Sequence, residues 1–348
     1  MNTHIGFETS TIIIFTIVVI VCLLIDLLAH RKNPIMTFRT SCIWTIFWIL
    51  VSVLFGVYLW YHHNVEVASL FFTGYILEKS LSVDNLFVFM AIFTWFKIPE
   101  AYRHRVLYYG IIGAIVFRAI FVAIGSTFLY LLGQWVEIVF GIWVAVTAVL
   151  MIKSADDKDE IEDYSNHPAY RLTKWLLPIW PKLEGHYFFL NKQKIRELTE
   201  KEENQNISLK RTGLFFGTPL LLCLSVIELS DVTFAFDSVP AVIAVSKQPL
   251  IIYSAMIFAI LGLRSMYFIL ESLKRYLCHL EKAVITLLFF IAFKLCFNAG
   301  CEIGGFNSLL IGNITSLIVI AVILALGVTA SIIFPEKAPG SKKTGSTE

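Results

Sequence analysis

The sequence predicts an all-α polytopic membrane protein of about nine transmembrane helices, N-terminus out and C-terminus in, with an inverted three-helix repeat. Three observations carry this expectation. The 348-residue chain is 57% hydrophobic and 16% charged, with a mean hydropathy of +0.74, well outside the range of soluble domains. Its Lys and Arg residues fall almost wholly on one side of the apolar runs. A costly acidic pattern also occurs twice, three runs apart.

The apolar runs cover residues 11–29, 42–61, 67–96, 106–125, 133–152, 213–246, 250–270, 283–299 and 308–334. Most hold the roughly 20 apolar residues that a spanning helix needs. The first has no Lys or Arg before it and is followed by His30, Arg31 and Lys32, the layout of an N-out anchor rather than a cleaved signal. Of the 28 Lys and Arg, 23 fall in the stretches that this orientation puts inside, against Lys247 alone outside. The remaining four, Lys79, Arg118, Arg264 and Lys294, lie within runs. The net charge of +2 therefore reflects cytoplasmic loops facing anionic lipid. No basic-aromatic face suggests a nucleic-acid partner. The chain divides into two leading helices (1–66), a first repeat (67–152), a cytoplasmic connecting loop (153–212), a second repeat (213–299), and a last helix with a cytoplasmic tail (300–348).

The acidic patterns are Glu78-Lys79-Ser80-Leu81-Ser82-Val83-Asp84-Asn85 and Glu228-Leu229-Ser230-Asp231-Val232-Thr233-Phe234-Ala235-Phe236-Asp237-Ser238. In each, an acid is followed six residues later by an Asp with a small polar neighbour. An ionised side chain at membrane depth costs several kcal/mol unless it is paired or wet, so intramembrane acids point to an ion path. One run after each pattern an Arg follows, in Gly113-Ala114-Ile115-Val116-Phe117-Arg118 and Ala259-Ile260-Leu261-Gly262-Leu263-Arg264. An offset of three spans inverts the second copy relative to the first, and such repeats place transporter sites near the midplane between the halves. Asp26 in the first run could belong to a further partial copy.

Both motif-bearing runs, the third and the sixth, exceed the length needed to cross, which suggests that each is broken. Tilt could absorb part of the excess. Side chains six apart on a straight helix point about 120° apart, so Glu78 and Asp84 could share an ion only across an unwound turn. Pro240 has no N–H to give the carbonyl of Phe236. Carboxylates, freed carbonyls and the side chains of Asn85 and Ser238 would form an all-oxygen environment, suited to Mg²⁺, Ca²⁺ or Mn²⁺.

The blocks 72–85 (from Phe72-Thr73-Gly74-Tyr75 to Asp84-Asn85), 226–240 (VIELSDVTFAFDSVP) and 258–268 (FAILGLRSMYF) carry a resemblance. Along nearly its whole length the chain resembles the TerC/Alx family of bacterial integral membrane proteins, the tellurium resistance TerC-like members of the LysE-type exporter group. The resemblance implies Mn²⁺ export from the bacterial inner membrane, an association with tellurium-resistance systems, and Glu78, Asp84, Glu228, Asp231 and Asp237 as metal-path acids. No tightly bound cofactor is expected, only Mn²⁺ or another hard divalent cation as cargo. The chain departs from the expected pattern at Leu150, where a Lys is anticipated, whereas Lys294 stands in the second copy.

The charge partners have plainer readings beside the functional ones. Arg118 and Arg264 read as counter-ions to the acids ahead of gating or substrate contact. Lys79 reads as an ion-pair partner of its neighbour Glu78. Glu228 and Asp231, three apart on one helical face, could be co-ligands or a proton-carrying pair. Cys296 and Cys301 could pair near the outer face, although packing is the simpler role for the six cysteines. The connecting loop opens acidic (Asp156 to Asp163), becomes aromatic (Trp175, Trp180) and ends in mixed charge. It reads as a solvated connector with an interfacial middle piece, or as a dock for cytoplasmic stress-resistance proteins.

No phosphate-binding glycine loop, nucleophile elbow or HExxH motif points to an enzyme. Two functions remain. One is a secondary exporter of a hard divalent cation, with protons as a possible counter-ion. The other is a membrane scaffold that recruits metal-stress or metalloprotein-maturation partners through the loop.

Overall fold

The computed structural model describes residues 9–29, 37–156, 163–199, 214–246, 248–273 and 280–333. Lys247, Cys278 and the charged stretches 30–32, 157–162, 274–275 and 337–343 lie outside the described residues. The chain forms helices α1 (Thr9–Ala29), α2 (Phe38–His62), α3 (Val65–Trp95), α4 (Glu100–Leu132) and α5 (Gln134–Asp156). After these come α6 (Pro168–Leu176), strand β1 (Phe189–Asn191), α7 (Lys192–Thr199) and strand β2 (Phe215–Gly217). The second half holds α8 (Pro219–Val245), α9 (Pro249–Ile260), α10 (Leu263–Leu273), α11 (Leu280–Gly304) and α12 (Asn313–Ile333).

Local chemistry sets many of the boundaries. Thr37 and Asn64 cap α2 and α3, accepting from the N–H groups of Thr40 (3.3 Å) and Val67 (2.8 Å). Proline occupies the first turn of α8 and α9, where no N–H is needed. Among the described residues, α2, α4, α5, α8, α11 and α12 are long and apolar enough to cross a membrane, and the bent pair α9–α10 would make a seventh span. α1 contributes a shorter apolar stretch, Thr11–Asp26. α3 has 31 residues but carries Glu78, Lys79 and Asp84 along its length. Exposed Ile, Leu, Val and Trp side chains coat the outer faces of α1, α2, α4, α5 and α12, as lipid contact requires.

Inside the bundle α4 packs on α8, α9 on α3, and α5 along α11, while α3 and α8 meet each other. Phe55, Phe71 and Phe258 form an aromatic knot between α2, α3 and α9, with ring centroids 4.7–5.8 Å apart. This knot anchors the motif-bearing α3 against the second half of the chain.

The break lies elsewhere than the sequence suggested. α3 and α8 are both continuous, with Pro240 inside α8. A single proline removes one hydrogen bond, at a cost of about 3 kcal/mol. Unwinding a full turn in lipid would leave several backbone groups unsatisfied, each costing a comparable amount. The seventh run breaks instead: α9 ends at Ile260, α10 starts at Leu263, and the two are bent by 52°. Gly262 makes this possible with φ +77°, a conformation open to glycine. A Cβ there would also meet the Trp48 ring at 2.5–3.0 Å.

The connecting segment is no simple solvated linker. β1 and β2 pair antiparallel, and the Trp180 N–H donates to the carbonyl of Gly217 at 2.8 Å. The Trp180 side chain is fully buried with Leu190, Ile195, Leu198 and Phe216, so it forms a small core rather than an interfacial anchor. Trp175, on α6, is exposed as an interfacial residue would be. Asp163 closes the turn before α6, accepting from the N–H and hydroxyl of Ser165 at 2.9 and 2.8 Å, and these bonds hold its carboxyl below the usual carboxylate range.

The break predicts a sharp local sensitivity. Gly262→Ala forces a side chain into positive φ and into Trp48, and should cost about 1–3 kcal/mol. Thermal unfolding of the detergent-solubilised variant checks this, with Gly300→Ala, at a helical glycine with open space around it, expected to unfold like the wild type.

Candidate functional site

Arg118 on α4 holds the centre of the bundle. It is almost fully buried, forms an ion pair with Glu78 of α3, and reaches Oδ1 of Asp231 on α8 at 3.3 Å. Glu78 and Asp231 occupy matching places in the two acidic patterns, each six residues before an Asp. A single guanidinium thus spans the equivalent acids of both. Its planar, multiply donating head suits this, and a lysine would offer only a point charge.

Glu228 continues the acidic line one turn before Asp231 on α8. Its carboxyl lies against the backbone of Gly113 on α4, where any Cβ would run into it. Glycine at 113 is therefore what admits this side chain between the two helices. Among the described residues, Oε2 of Glu228 and Oδ2 of Asp231 are buried with no hydrogen-bond partner. Three carboxylates and one guanidinium line this part of the α3–α4–α8 interface. With all of them charged the sum is negative, which attracts a cation.

The other predicted residues divide between this centre and separate places. Asp84 and Asp237 lie within α3 and α8, where the structure describes their backbone. Asn85 and Ser238 are both buried. Arg264 meets an acid outside the two motifs: its Nη2 lies 2.8 Å from Oδ2 of Asp26 and also bonds the Asp26 backbone carbonyl, with the Tyr108 ring 5.7 Å away. Asp26, which the sequence offers as part of a further partial copy, is thus a partner of Arg264. Lys79 turns away from Glu78 and donates to the carbonyls of Ala259 and Leu261, at 3.0 and 3.2 Å. The reason is local: Glu78 already has Arg118, and the end of α9 presents carbonyls without helical donors. Lys294 is buried on α11, whereas Leu150 is exposed.

Sequence reasoning missed two acids. Glu137 on α5 is buried, although it sits in the first turn of a run otherwise apolar. Glu271 on α10 forms an ion pair with Arg103. Glu137 could have been found by counting every acid inside the runs, but nothing in the sequence signalled the Glu271 pair. Among the described residues, no three His, Cys, Asp or Glu side chains are disposed to hold one metal ion. The described residues bring Glu78 and Asp231 together through Arg118. Cys22, Cys42, Cys223, Cys296 and Cys301 are all free, so Cys296 and Cys301 do not pair.

Removing the bridging charge should be severe. Arg118→Met leaves two buried carboxylates facing each other and is expected to cost about 3–5 kcal/mol. Arg118→Lys, with the charge but without the fork, should fall between. Thermal unfolding of both variants in one detergent checks the order.

The Integral membrane protein TerC family matches residues 63–338. The chain is 57% identical to the tellurium resistance protein TerC of Serratia marcescens over 350 residues, which cover 99% of this chain and all of that one. It is 55% identical to the TerC of Alcaligenes sp, over 99% of both chains. It is 36% identical to Alx of Escherichia coli (strain K12), over 81% of this chain and 84% of that one. No solved structure matches. These relatives are bacterial, and with several apolar helices the protein is a multi-pass protein of the bacterial inner membrane. The chain belongs to the TerC family of integral membrane proteins.

Proposed function

We propose that the protein is a secondary transporter that exports a hard divalent cation, Mn²⁺ in particular, through the acidic centre between its two halves. The observation that carries this reading is the buried acidic line itself. Glu78, Asp231 and Glu228 sit among helices packed inside an apolar bundle, and a single arginine, Arg118, is bonded to two of them. Buried ion pairs are poor stabilisers, so an acid excess kept at such cost favours an ion path over a purely structural role. Asp84 and Asp237 would extend the path along α3 and α8, with Asn85 and Ser238 beside them. Oxygen ligands of this kind favour Mn²⁺ over Zn²⁺ or Cu⁺. Proton exchange through the Glu228–Asp231 pair would supply the driving force.

The architecture proposed for this role has nine spans, N-out and C-in: α1 to α5, α8, the bent pair α9–α10, α11 and α12. Spans three to five would be related by inversion to spans six to eight. The packing is consistent with such a symmetry, since α4 lies on α8 as α9 lies on α3, and α5 pairs with α11. The names of the Serratia and Alcaligenes relatives support a role in tellurite or metal stress resistance.

One observation favours a second reading, a membrane scaffold. The connecting segment has a small core of its own around Trp180, which could present a surface to cytoplasmic partners. Cellular manganese separates the two. In an efflux-deficient host, wild-type protein should lower cell manganese, while Asp84→Asn and Asp237→Asn, present in the membrane at equal abundance, should not. If wild type leaves manganese unchanged, export is wrong and the scaffold stands.

A further inference from the structure

The break between α9 and α10 holds chemistry that the acidic centre does not use. α9 stops at Ile260, and the carbonyls of Ala259 and Leu261 both point at the ammonium of Lys79. A helix C-terminus carries about half a negative charge, concentrated on such carbonyls. The surroundings are apolar: Phe258, Leu261 and Trp48 are buried, and the Trp48 ring closes over Gly262. Just past the break, Arg264 at the start of α10 holds the carboxylate of Asp26 at 2.8 Å. Carbonyl oxygens at an unwound point inside a membrane helix, with a carboxylate nearby, are the ligand set by which membrane proteins take dehydrated monovalent cations.

We propose that the α9–α10 break is a binding site for a monovalent cation of ammonium or potassium size, and that Lys79 fills it as a tethered occupant. The primary ammonium is close to K⁺ in size and supplies up to three donors to oxygen ligands. Filling the site from within the chain has a mechanical effect. Lys79 joins α3 to the bent span on one side, while the adjacent Glu78 joins α3 to α4 through Arg118 on the other. α3 is thereby pinned at consecutive residues to two different helices. The proposal does not rest on the transport reading, because it concerns the occupancy of the break and not the passage of a divalent ion.

The test is cation-dependent stability of Lys79→Met, purified and measured in potassium, sodium, ammonium or tetramethylammonium chloride at equal ionic strength. Tetramethylammonium is larger than K⁺ and has no N–H to donate, and serves as the control. The variant should unfold below wild type in tetramethylammonium and recover by at least about 2 °C in potassium or ammonium, while wild type is insensitive to the cation. Lys79→Ala provides a second arm, with n-propylammonium as the rescuing ion. A variant that responds alike to all four salts overturns the proposal, as does a wild type that gains equally from potassium. Failure of both variants to accumulate in the potassium-rich cytoplasm also counts against it, since the vacated site would be filled there. Manganese transport is not measured, so either proposal can fail without the other.

Discussion

Everything near the middle of this protein depends on one buried guanidinium. Arg118 stands between Glu78 and Asp231, the matching acids of two patterns on different helices. Two carboxylates buried in an apolar bundle repel each other and are far from water, so each is costly there without a partner. The arginine lets both remain, and it ties α4 to α3 and α8 together. The arrangement also leaves acidic oxygens over: among the described residues, Oδ2 of Asp231 and Oε2 of Glu228 are buried with no hydrogen-bond partner. Three carboxylates thus stand at this interface against one guanidinium.

A second set of charges does a different job. Arg264, at the position matching Arg118, turns to Asp26 on the first helix, and Lys79 takes the end of α9. The two arginines thus sit in comparable sequence contexts but have different partners. The cause is the break at Gly262: once the span bends by 52°, the end of α9 needs donors, and α10 is redirected past α1 and α2. Symmetry in the sequence gives way here to the local demand of unsatisfied backbone. Thr45 and Ser265 mark the same contact, with a hydroxyl bond of 2.9 Å between α2 and α10.

Much of this was legible in the sequence. Apolar runs, the paired acidic patterns and the arginines that follow them are one-dimensional signals, and α4 and α8 do bring Arg118 and Asp231 together. What was not legible depended on comparing costs across the fold. Pro240 looked like the break, yet losing one bond is cheaper than unwinding α8, whereas Gly262 looked unremarkable beside Arg264. Lys79 was read through its neighbour Glu78, although successive side chains on a helix point about 100° apart and so face different partners. Trp180 reads as interfacial because Trp is favoured at lipid headgroups, but residues of β1, α7 and β2 enclose it. Asp26 had too short a context for its partner to be inferred.

The dependence on Arg118 is open to one direct measurement. Thermal unfolding in a single detergent would compare wild type, Arg118→Met, and the neutral triple variant Glu78→Gln/Arg118→Met/Asp231→Asn. If the arginine is there to balance two buried acids, neutralising them together with it should recover most of the stability that Arg118→Met alone loses. A triple variant as unstable as Arg118→Met would show that the bundle needs the shape of the arginine and not its charge, and would contradict the account.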